Sequence, residues 1–153
     1  HRNFGREPVA DIEVRPSQLK GARIPERLVP LAIDEFPALF VAAACAEGET
    51  LVTGAEELRV KESDRIAAMA RGFEVLGVQH EALADGMRIV GGNPFRGGTI
   101  DSRGDHRIAM AFAVASLRAT APIEILDVAN VGTSFPGFAE LANSVGLRVG
   151  VSG

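Results

Sequence analysis

The chain has 153 residues, and its hydrophobic content of 46% is enough to bury a core in one domain or in a closely packed pair of subdomains. Its formal net charge is -4, with both signs interspersed, which excludes a general electrostatic attraction to nucleic acid or to an anionic membrane. Any anion-binding role must therefore be local to a few side chains.

Hydrophobic periodicity predicts alternating strands and helices in the first half of the chain. The predicted elements are, in order, a strand at 9–14, a helix at 34–46, a strand at 49–53, a helix at 63–76, and strands at 78–83 and 87–90. The last two strands flank Ala84-Asp85-Gly86, and an Asp-Gly pair is typical of a hairpin turn. The predicted order is therefore β-α-β-α-β-β.

The same order begins again after the glycine-rich loop at 91–98. The predicted elements here are a strand at 99–101, a helix from Asp105, a strand at 123–126, a helix from Ser134 and a strand at 147–151. Asp34 precedes Ser63 by the same number of residues as Asp105 precedes Ser134, which is the regular spacing of a repeat. We therefore predict an α/β fold of repeated β-α-β-α-β-β units, at about 9–90 and 98–151.

The predicted helices differ in how much of their surface is apolar. The first helix of each unit, at 36–46 and 108–117, is apolar nearly all round, which is typical of a helix buried on every side. The second helix of the first unit has a single apolar stripe, formed by Ile66, Met69, Ala70, Phe73 and Leu76. We therefore expect buried helices in the centre and sheets outside them.

Cysteine usage and the length of apolar runs indicate the compartment. The single Cys45 lies in an apolar helical run, where a thiol is usually a small buried hydrophobe, and one cysteine cannot form an internal disulfide. No Cys/His group has the spacing of metal ligands, so we expect no metal and a reducing cytoplasm. The longest apolar run, at 36–46, is shorter than the roughly 20 residues that cross a bilayer. The first residues contain neither Met nor an apolar signal stretch, which indicates a piece of a longer chain.

Charged clusters recur where the predicted helices begin. These clusters are Asp34-Glu35, Lys61-Glu62-Ser63-Asp64-Arg65 and Asp105-His106-Arg107. A helix start carries unpaired N–H groups and about half a positive charge, so it favours anions, and nearby lysine and arginine strengthen that preference. Asp34, Ser63 and Asp105 are good N-cap residues, and capping is the simplest explanation for each of them.

Capping does not explain Arg65 and Arg107, because a cation in the first turn of a helix opposes the helix dipole. Two guanidinium groups at equivalent helix starts would form a clamp for a carboxylate or a phosphate. The alternative is that both are solvated surface arginines, since most charged residues are exposed. Two roles also remain open for His106, which are contact with a ligand and structural pairing with Asp105.

Five segments together resemble the 5-enolpyruvylshikimate-3-phosphate synthase family in order and spacing. They are Lys-Gly-Ala-Arg-Ile-Pro at 20–25, Leu-Ala-Ile-Asp-Glu-Phe-Pro at 31–37, Leu-Arg-Val-Lys-Glu-Ser-Asp-Arg at 58–65, Gly-Asp-His-Arg-Ile-Ala-Met at 104–110 and Ser-Phe-Pro-Gly-Phe at 134–138. The UDP-N-acetylglucosamine enolpyruvyl transferases are similar in fold and chemistry, but the segment at 58–65 resembles the shikimate branch. The resemblance implies an inside-out α/β barrel, with this chain forming two units of the C-terminal lobe and the N-terminal lobe missing.

The resemblance also implies a carboxyvinyl transfer from phosphoenolpyruvate to the 5-hydroxyl of shikimate 3-phosphate, with release of phosphate, in aromatic amino-acid biosynthesis. By motif, Asp34 is the general base at that hydroxyl. Glu62 is similarly implied to handle the proton at the methylene carbon of phosphoenolpyruvate. Both residues are therefore candidate catalytic groups.

The remaining motif residues are implied to bind substrate. Lys61 matches a contact to the phosphate or hydroxyls of shikimate 3-phosphate. Arg65 and Arg107 match the pair that holds the carboxylate or phosphate of phosphoenolpyruvate, with His106 beside them. The resemblance requires no metal or organic cofactor, because fixed cations stabilise the developing charge. It departs at Thr133, where many members of the family have a lysine that reaches the leaving phosphate.

Three alternatives remain at this point. The enzyme could belong to the UDP-N-acetylglucosamine branch, the isolated chain could be an inactive anion-binding module without the other lobe, or the chain could be a noncatalytic repeat scaffold. We expect a monomer whose partners are the two substrates and the missing N-terminal lobe, with no nucleic-acid or membrane partner. Convergence of the three charged clusters on one wall of a cleft would exclude the scaffold.

Overall fold

A computed structural model describes residues 2–151 of the chain, with side chains from residue 4 onward. The helices are α1 (Phe36–Cys45), α2 (Arg65–Leu76), α3 (His106–Ala115), α4 (Ala129–Ser134) and α5 (Phe138–Ser144). The strands are β1 (Arg2–Phe4), β2 (Glu7–Val9), β3 (Gly48–Val52), β4 (Gln79–Leu83), β5 (Gly86–Gly91), β6 (Gly98–Asp101) and β7 (Ile123–Leu126). Short 3-10 helices lie at Glu26–Leu28, Pro30–Glu35, Glu56–Val60 and Ser116–Arg118. The α/β class is thereby confirmed.

The described strands form three small sheets. β1 pairs with β2, and β3, β5 and β4 form an antiparallel sheet in that order, while β6 and β7 run parallel. The predicted hairpin is confirmed, since Leu83 pairs with Gly86 and only Ala84 and Asp85 lie between the strands. A parallel pair joined through α3 is the β-α-β connection that the sequence order predicts.

The strand predicted at 9–14 is wrong, because only Val9 belongs to a strand and the segment that follows is exposed. The segment at 19–24 instead runs parallel to β3, where the N–H of Leu51 donates to the carbonyl of Ala22 at 3.0 Å. A Cβ atom at Gly21 would overlap the backbone of Glu49, so glycine is what permits this close approach. The repeat boundaries at 9–90 and 98–151 stay a prediction.

Two of the three predicted N-caps are wrong. Asp34 lies inside the 3-10 helix that precedes α1, and α2 is capped by Asp64 instead of Ser63. The Asp64 carboxylate accepts from the N–H of Ala67 at 2.9 Å. Asp105 caps α3 as predicted, with its carboxylate accepting from the N–H groups of Arg107 and Ile108. Asp34 is therefore free of capping and available for other contacts.

The C-terminal part of the chain also differs from the prediction. Ser134 ends α4 instead of beginning a helix, because Pro136 has no N–H and Gly137 takes a φ of 80° before α5 begins. Residues 147–151 form no strand. There the side chain of Asn143 bonds both the N–H and the carbonyl of Val149, so a side chain takes the place of a strand partner.

The core lies between the first three helices and the inner faces of the sheets. The apolar stripe predicted for α2 is confirmed, with Ala70 partly buried and its other four members fully buried. α1 and α3 contribute most of their surface to the same core, but Leu39 of α1 remains 45% exposed and Val114 of α3 remains 46% exposed. The prediction that α1 and α3 are buried on every side is therefore overstated. Cys45 is half-buried against this core.

The outer face of the three-stranded sheet is polar. Arg88 of β5 donates to Glu81 of β4 at 2.7 Å and to Glu49 of β3 at 3.4 Å, and all three side chains are exposed. Met87 and Ile89 of the same strand point the other way and have no exposed surface. The helices therefore lie inside and this sheet outside, as predicted. Within residues 2–151, no helix is both long and apolar enough to cross a membrane.

We expect Gly72→Ala to destabilise the protein, although alanine is the better helix former by about 1 kcal/mol. Gly72 lies where α2 meets α3, and a Cβ atom there would overlap the ring of Phe112. Overpacking of this kind typically costs about 1–3 kcal/mol, which outweighs the propensity gain. Denaturant unfolding measures the difference. The matched control is Gly132→Ala in α4, where the added carbon meets nothing within 4 Å. A Gly72→Ala protein at least as stable as its parent would contradict this packing.

Candidate active site

The starts of α1, α2 and α3 meet at one place, and the charged residues at these starts contact one another. We call this cluster the charged wall, defined by Asp34, Lys61, Glu62, Arg65, Asp105 and Arg107. Residues far apart in the chain are joined here, since Asp34 bonds Arg65 and Arg107 bonds the backbone of Asp34. The convergence that the sequence analysis required is therefore present, and the noncatalytic scaffold loses its support.

Arg65 lies at the centre of the charged wall. Its side chain is 1% exposed, and its guanidinium donates to Asp105 at 2.8 Å, to Asp34 at 2.9 Å and to Glu62 at 2.6 Å. Burial lowers the pKa of Arg65, but the three carboxylates outweigh it and raise that pKa above its ordinary value. Arg65 is therefore not a solvated surface arginine. An anion reaches its guanidinium only if one of these carboxylates moves aside.

Asp34 faces the cations of the charged wall and remains open to the outside. Its carboxylate lies 2.9 Å from Arg65 and 3.4 Å from Lys61, while the side chain is 46% exposed. Burial raises the pKa of Asp34, but hydrogen bonds from Arg65 and Lys61 and the charge of Arg107 bring it below its ordinary value. Asp34 is therefore ionised at neutral pH and accessible, as a general base must be.

Lys61 and Glu62 lie on the segment between the 3-10 helix Glu56–Val60 and α2. The Lys61 ammonium group contacts Glu57 as well as Asp34. The Glu62 carboxylate accepts from Arg65, yet its side chain is 53% exposed and extends to the surface of the wall. Asp34 and Lys61 are therefore paired directly, and Glu62 is joined to them through Arg65.

Arg107 completes the charged wall from the start of α3. One of its terminal nitrogens donates to the carbonyl of Asp34 and to the carboxylate of Glu35, both at 2.9 Å. A cavity of about 160 Å³ lies beside these residues and extends along α1 and α3 to Val41 and Val114. The side chain of Arg107 is 32% exposed, so its guanidinium is accessible from outside the chain.

The structure places His106 beside Arg107 at the first position of α3, where its side chain is half-buried. Within residues 2–151, no side chain or backbone group forms a hydrogen bond with its ring. The Asp105 carboxylate bonds Arg65 and Ser63 instead. A structural pairing of His106 with Asp105 is therefore wrong, and a ligand contact stays a prediction.

The sequence indicates only capping, or pairing with His106, for Asp105, and it indicates no role for the Glu35 side chain. Asp105 has no exposed surface, and its carboxylate also accepts from Ser63 at 3.0 Å and from Arg65 at 2.8 Å. Burial raises the pKa of Asp105, but Arg65, Ser63 and the N–H of Arg107 lower it below its ordinary value. No local pattern could identify these partners, because Ser63 and Arg65 lie 42 and 40 residues earlier in the chain, just before and at the start of α2.

The site carries more carboxylates than cations, with five carboxylates in contact with three cations. Each of the three cations, Lys61, Arg65 and Arg107, already contacts at least one carboxylate. The carboxylates belong to Asp34, Glu35, Glu57, Glu62 and Asp105. The anion preference expected from lysine and arginine at helix starts is therefore largely neutralised within this chain. Among the described residues, no group of three or more His, Cys, Asp or Glu side chains is placed to hold a metal ion.

Position 133, where many members of the family have a lysine, carries no positive charge in this chain. Thr133 is exposed on α4, and Arg103, which precedes α3, forms an ion pair with Asp101 at 3.1 Å. A larger cavity of about 1220 Å³ lies between α3, β7, α4 and α5, but it contains none of the predicted site residues and its lining is mostly apolar. We therefore locate the candidate site at the charged wall and not in the larger cavity.

Central helices whose charged starts form one wall, with sheets outside them, are the arrangement expected of an enolpyruvyl transferase lobe. A family profile described as EPSP synthase (3-phosphoshikimate 1-carboxyvinyltransferase) matches residues 2–141. The chain belongs to the EPSP synthase family.

Individual relatives agree with this assignment. The chain is 66% identical over 151 residues to the 3-phosphoshikimate 1-carboxyvinyltransferase of Methylococcus capsulatus, covering 99% of this chain and 34% of that relative. It is 68% identical over 148 residues to the enzyme of the same name from Alkalilimnicola ehrlichii, covering 97% of this chain and 33% of that relative. The solved EPSP synthase of Acinetobacter baumannii superposes with a TM-score of 0.86 at 55% identity, covering 89% of this chain and 32% of that one. The chain spans about a third of the length of these relatives.

Proposed function

We propose that this chain is the part of a 3-phosphoshikimate 1-carboxyvinyltransferase that supplies one wall of the active site. The observation that carries the proposal is the convergence of Asp34, Lys61 and Arg107 from three helix starts on one accessible surface. The relatives named above carry the shikimate name, which favours this branch over the UDP-N-acetylglucosamine enolpyruvyl transferases. The substrates would be phosphoenolpyruvate and shikimate 3-phosphate.

The proposed reaction needs one base and one acid at the charged wall. The 5-hydroxyl oxygen of shikimate 3-phosphate bonds to the phosphate-bearing carbon of phosphoenolpyruvate, its proton passes to Asp34, and the methylene carbon takes a proton from Glu62 in its protonated form. The bond between that carbon and the phosphate oxygen then breaks, the leaving phosphate takes up the proton that Asp34 accepted, and the new methyl group returns a proton to Glu62 as the double bond reforms. The products are the enolpyruvyl ether and phosphate, with no change in oxidation state.

The cations of the wall would bind the anionic substrates and stabilise charge that develops during the reaction. Lys61 is next to the proposed base, where it can contact shikimate 3-phosphate and keep Asp34 ionised. Arg107 and the outer edge of Arg65 would bind phosphoenolpyruvate, with His106 beside them. Because Glu62 covers Arg65, both the anion contact and proton donation require the Glu62 side chain to turn away, and its exposed position leaves room for that movement.

We further propose that the isolated chain is an inactive module. It spans about a third of the length of its relatives, so the N-terminal lobe that would close over the substrates is missing. The excess of carboxylates in the site supports this, because two anionic substrates need more positive charge than the wall provides. The single cysteine is in keeping with a cytoplasmic location, and a monomeric full-length enzyme completes the proposal.

We expect the full-length protein to form product and phosphate from the two substrates, and the isolated chain to form none. Phosphate release measures turnover of both proteins, and amide NMR shifts of the isolated chain measure binding of each substrate. Binding at millimolar concentration or weaker, with shifts around Asp34 and Arg107, is the expected result for the isolated chain. A full-length protein without turnover would refute the proposed function, whereas turnover by the isolated chain would refute only its inactivity.

A further inference from the structure

Asp105 makes more contacts than a helix cap requires. One oxygen of its carboxylate, Oδ1, accepts from the N–H of Arg107 at 2.9 Å and from the N–H of Ile108 at 3.4 Å, which is ordinary capping of α3. The other oxygen, Oδ2, accepts from Nε of Arg65 at 2.8 Å and from the hydroxyl of Ser63 at 3.0 Å. One carboxylate therefore joins the start of α2 to the start of α3.

Burial holds the Asp105 carboxylate and the Arg65 guanidinium in this one arrangement. Asp105 has no exposed surface and Arg65 is 1% exposed, so neither charge can turn to water when the other is displaced. A buried ion pair that loses one partner leaves an uncompensated charge, which is strongly unfavourable. The guanidinium of Arg65 is therefore anchored at its Nε side to the same group that fixes the first turn of α3.

The outer edge of Arg65, formed by Nη1 and Nη2, lies mainly against the two exposed carboxylates of the wall. Nη1 donates to Asp34, and Nη2 donates to Glu62 at 2.6 Å and at the longer distance of 3.5 Å to Oδ1 of Asp105, while Asp34 and Glu62 are about half exposed. If Glu62 moves aside, this outer edge is the part of Arg65 that a substrate carboxylate or phosphate can reach. A planar guanidinium binds such groups well only when its edge is correctly oriented.

We propose that Asp105 is a positioning residue for the carboxyvinyl transfer, and this rests on the function proposed above. Its carboxylate orients the outer edge of Arg65 toward the substrates. The same carboxylate fixes the first turn of α3, which contains Arg107, so both arginines can bind the same anion. Asp105 itself touches no substrate and acts through the two arginines. Its role therefore predicts an effect on phosphoenolpyruvate binding that loss of a helix cap alone would not produce.

Asp105→Asn in the full-length protein separates the two roles, because asparagine is as good an N-cap as aspartate but has no charge to hold Arg65. We expect the KM for phosphoenolpyruvate to rise about 10-fold or more and kcat to fall, with the KM for shikimate 3-phosphate within about 3-fold of the parent. The matched control is Asp64→Asn, which keeps the cap of α2 and alters only the ion pair with Arg59. Equal kinetics for the two variants would overturn the proposal.

A double-mutant cycle with Arg65→Gln tests whether Asp105 acts through Arg65. We expect Asp105→Asn to have little further effect on the KM for phosphoenolpyruvate once Arg65 is replaced, since residues that act as a unit are not additive. Additive effects would mean that Asp105 only stabilises the fold, and would overturn the proposal.

Two further outcomes are also decisive. If Asp105→Asn does not fold, Ser63→Ala is the alternative variant, because it removes only the hydroxyl that donates to Oδ2 of Asp105. We expect Ser63→Ala to raise the KM for phosphoenolpyruvate about 3-fold or more. An unchanged KM would contradict the positioning role. If the parent protein converts no substrate, the proposed function fails and the positioning role fails with it. An active parent with unaffected variants refutes the positioning role alone.

Discussion

Replacing Asp34 in the full-length protein is expected to lower turnover by about 100-fold or more, for both Asp34→Ala and Asp34→Asn. Asparagine keeps an oxygen that can accept from Arg65 and Lys61, but it cannot take a proton from the substrate hydroxyl. A similar loss in both variants would therefore report the missing base and not a disturbed ion pair. Steady-state phosphate release measures turnover, and the unfolding transition of each variant shows whether it is folded.

The matched control for this experiment is Asp101→Asn. Asp101 is also an exposed aspartate paired with an arginine, since its carboxylate lies 3.1 Å from Arg103, but it is not part of the charged wall. We expect its turnover to remain within about 2-fold of the parent, as for most surface substitutions. Normal turnover in Asp34→Asn, with loss only in Asp34→Ala, would assign Asp34 to holding Arg65 and would refute its role as base.

The parts of the fold that the sequence predicted are those set by local signals. The stripe of α2 follows from the helical period, the β4–β5 hairpin from its short turn, and the cap of α3 from Asp105. The strand beside β3 could not be found in this way. The segment at 9–14 has the apolar alternation of a strand, but only Val9 lies in one, whereas 19–24 runs beside β3 because Gly21 fits closely against Glu49.

The sequence suggested most residues of the candidate site, but not Asp105 as one of them and not the contacts between them. The motif resemblance and the helix starts together identified Asp34, Lys61 and Arg107, and the structure places all three on one surface. The buried pair of Arg65 and Asp105 depends on how α2 packs against α3, and the two residues are 40 positions apart. Hydrophobic periodicity does not predict which residues come into contact when they are this far apart in the sequence. The same packing determines that the cations of the wall are already neutralised before any ligand binds.

Arg107→Ala in the full-length protein is the second substitution expected to lower turnover by about 100-fold or more. Its guanidinium lies against the backbone of Asp34, so its loss removes a cation from beside the proposed base as well as a contact to phosphoenolpyruvate. We expect Arg107→Lys to recover only part of the activity, because an ammonium group restores the charge but not the planar fork that binds a carboxylate through two N–H groups.

Substrate-dependent kinetics distinguish this role of Arg107 from a structural one. The expected pattern is a rise in the KM for phosphoenolpyruvate with a smaller change for shikimate 3-phosphate, together with a fall in kcat. Arg88→Ala is the matched control, because Arg88 is also paired with glutamates but lies on the outer face of the sheet. Its kinetics should match the parent. If Arg107→Ala and Arg88→Ala behave alike, the cation at the start of α3 does not serve the reaction, and the clamp formed with Arg65 is wrong.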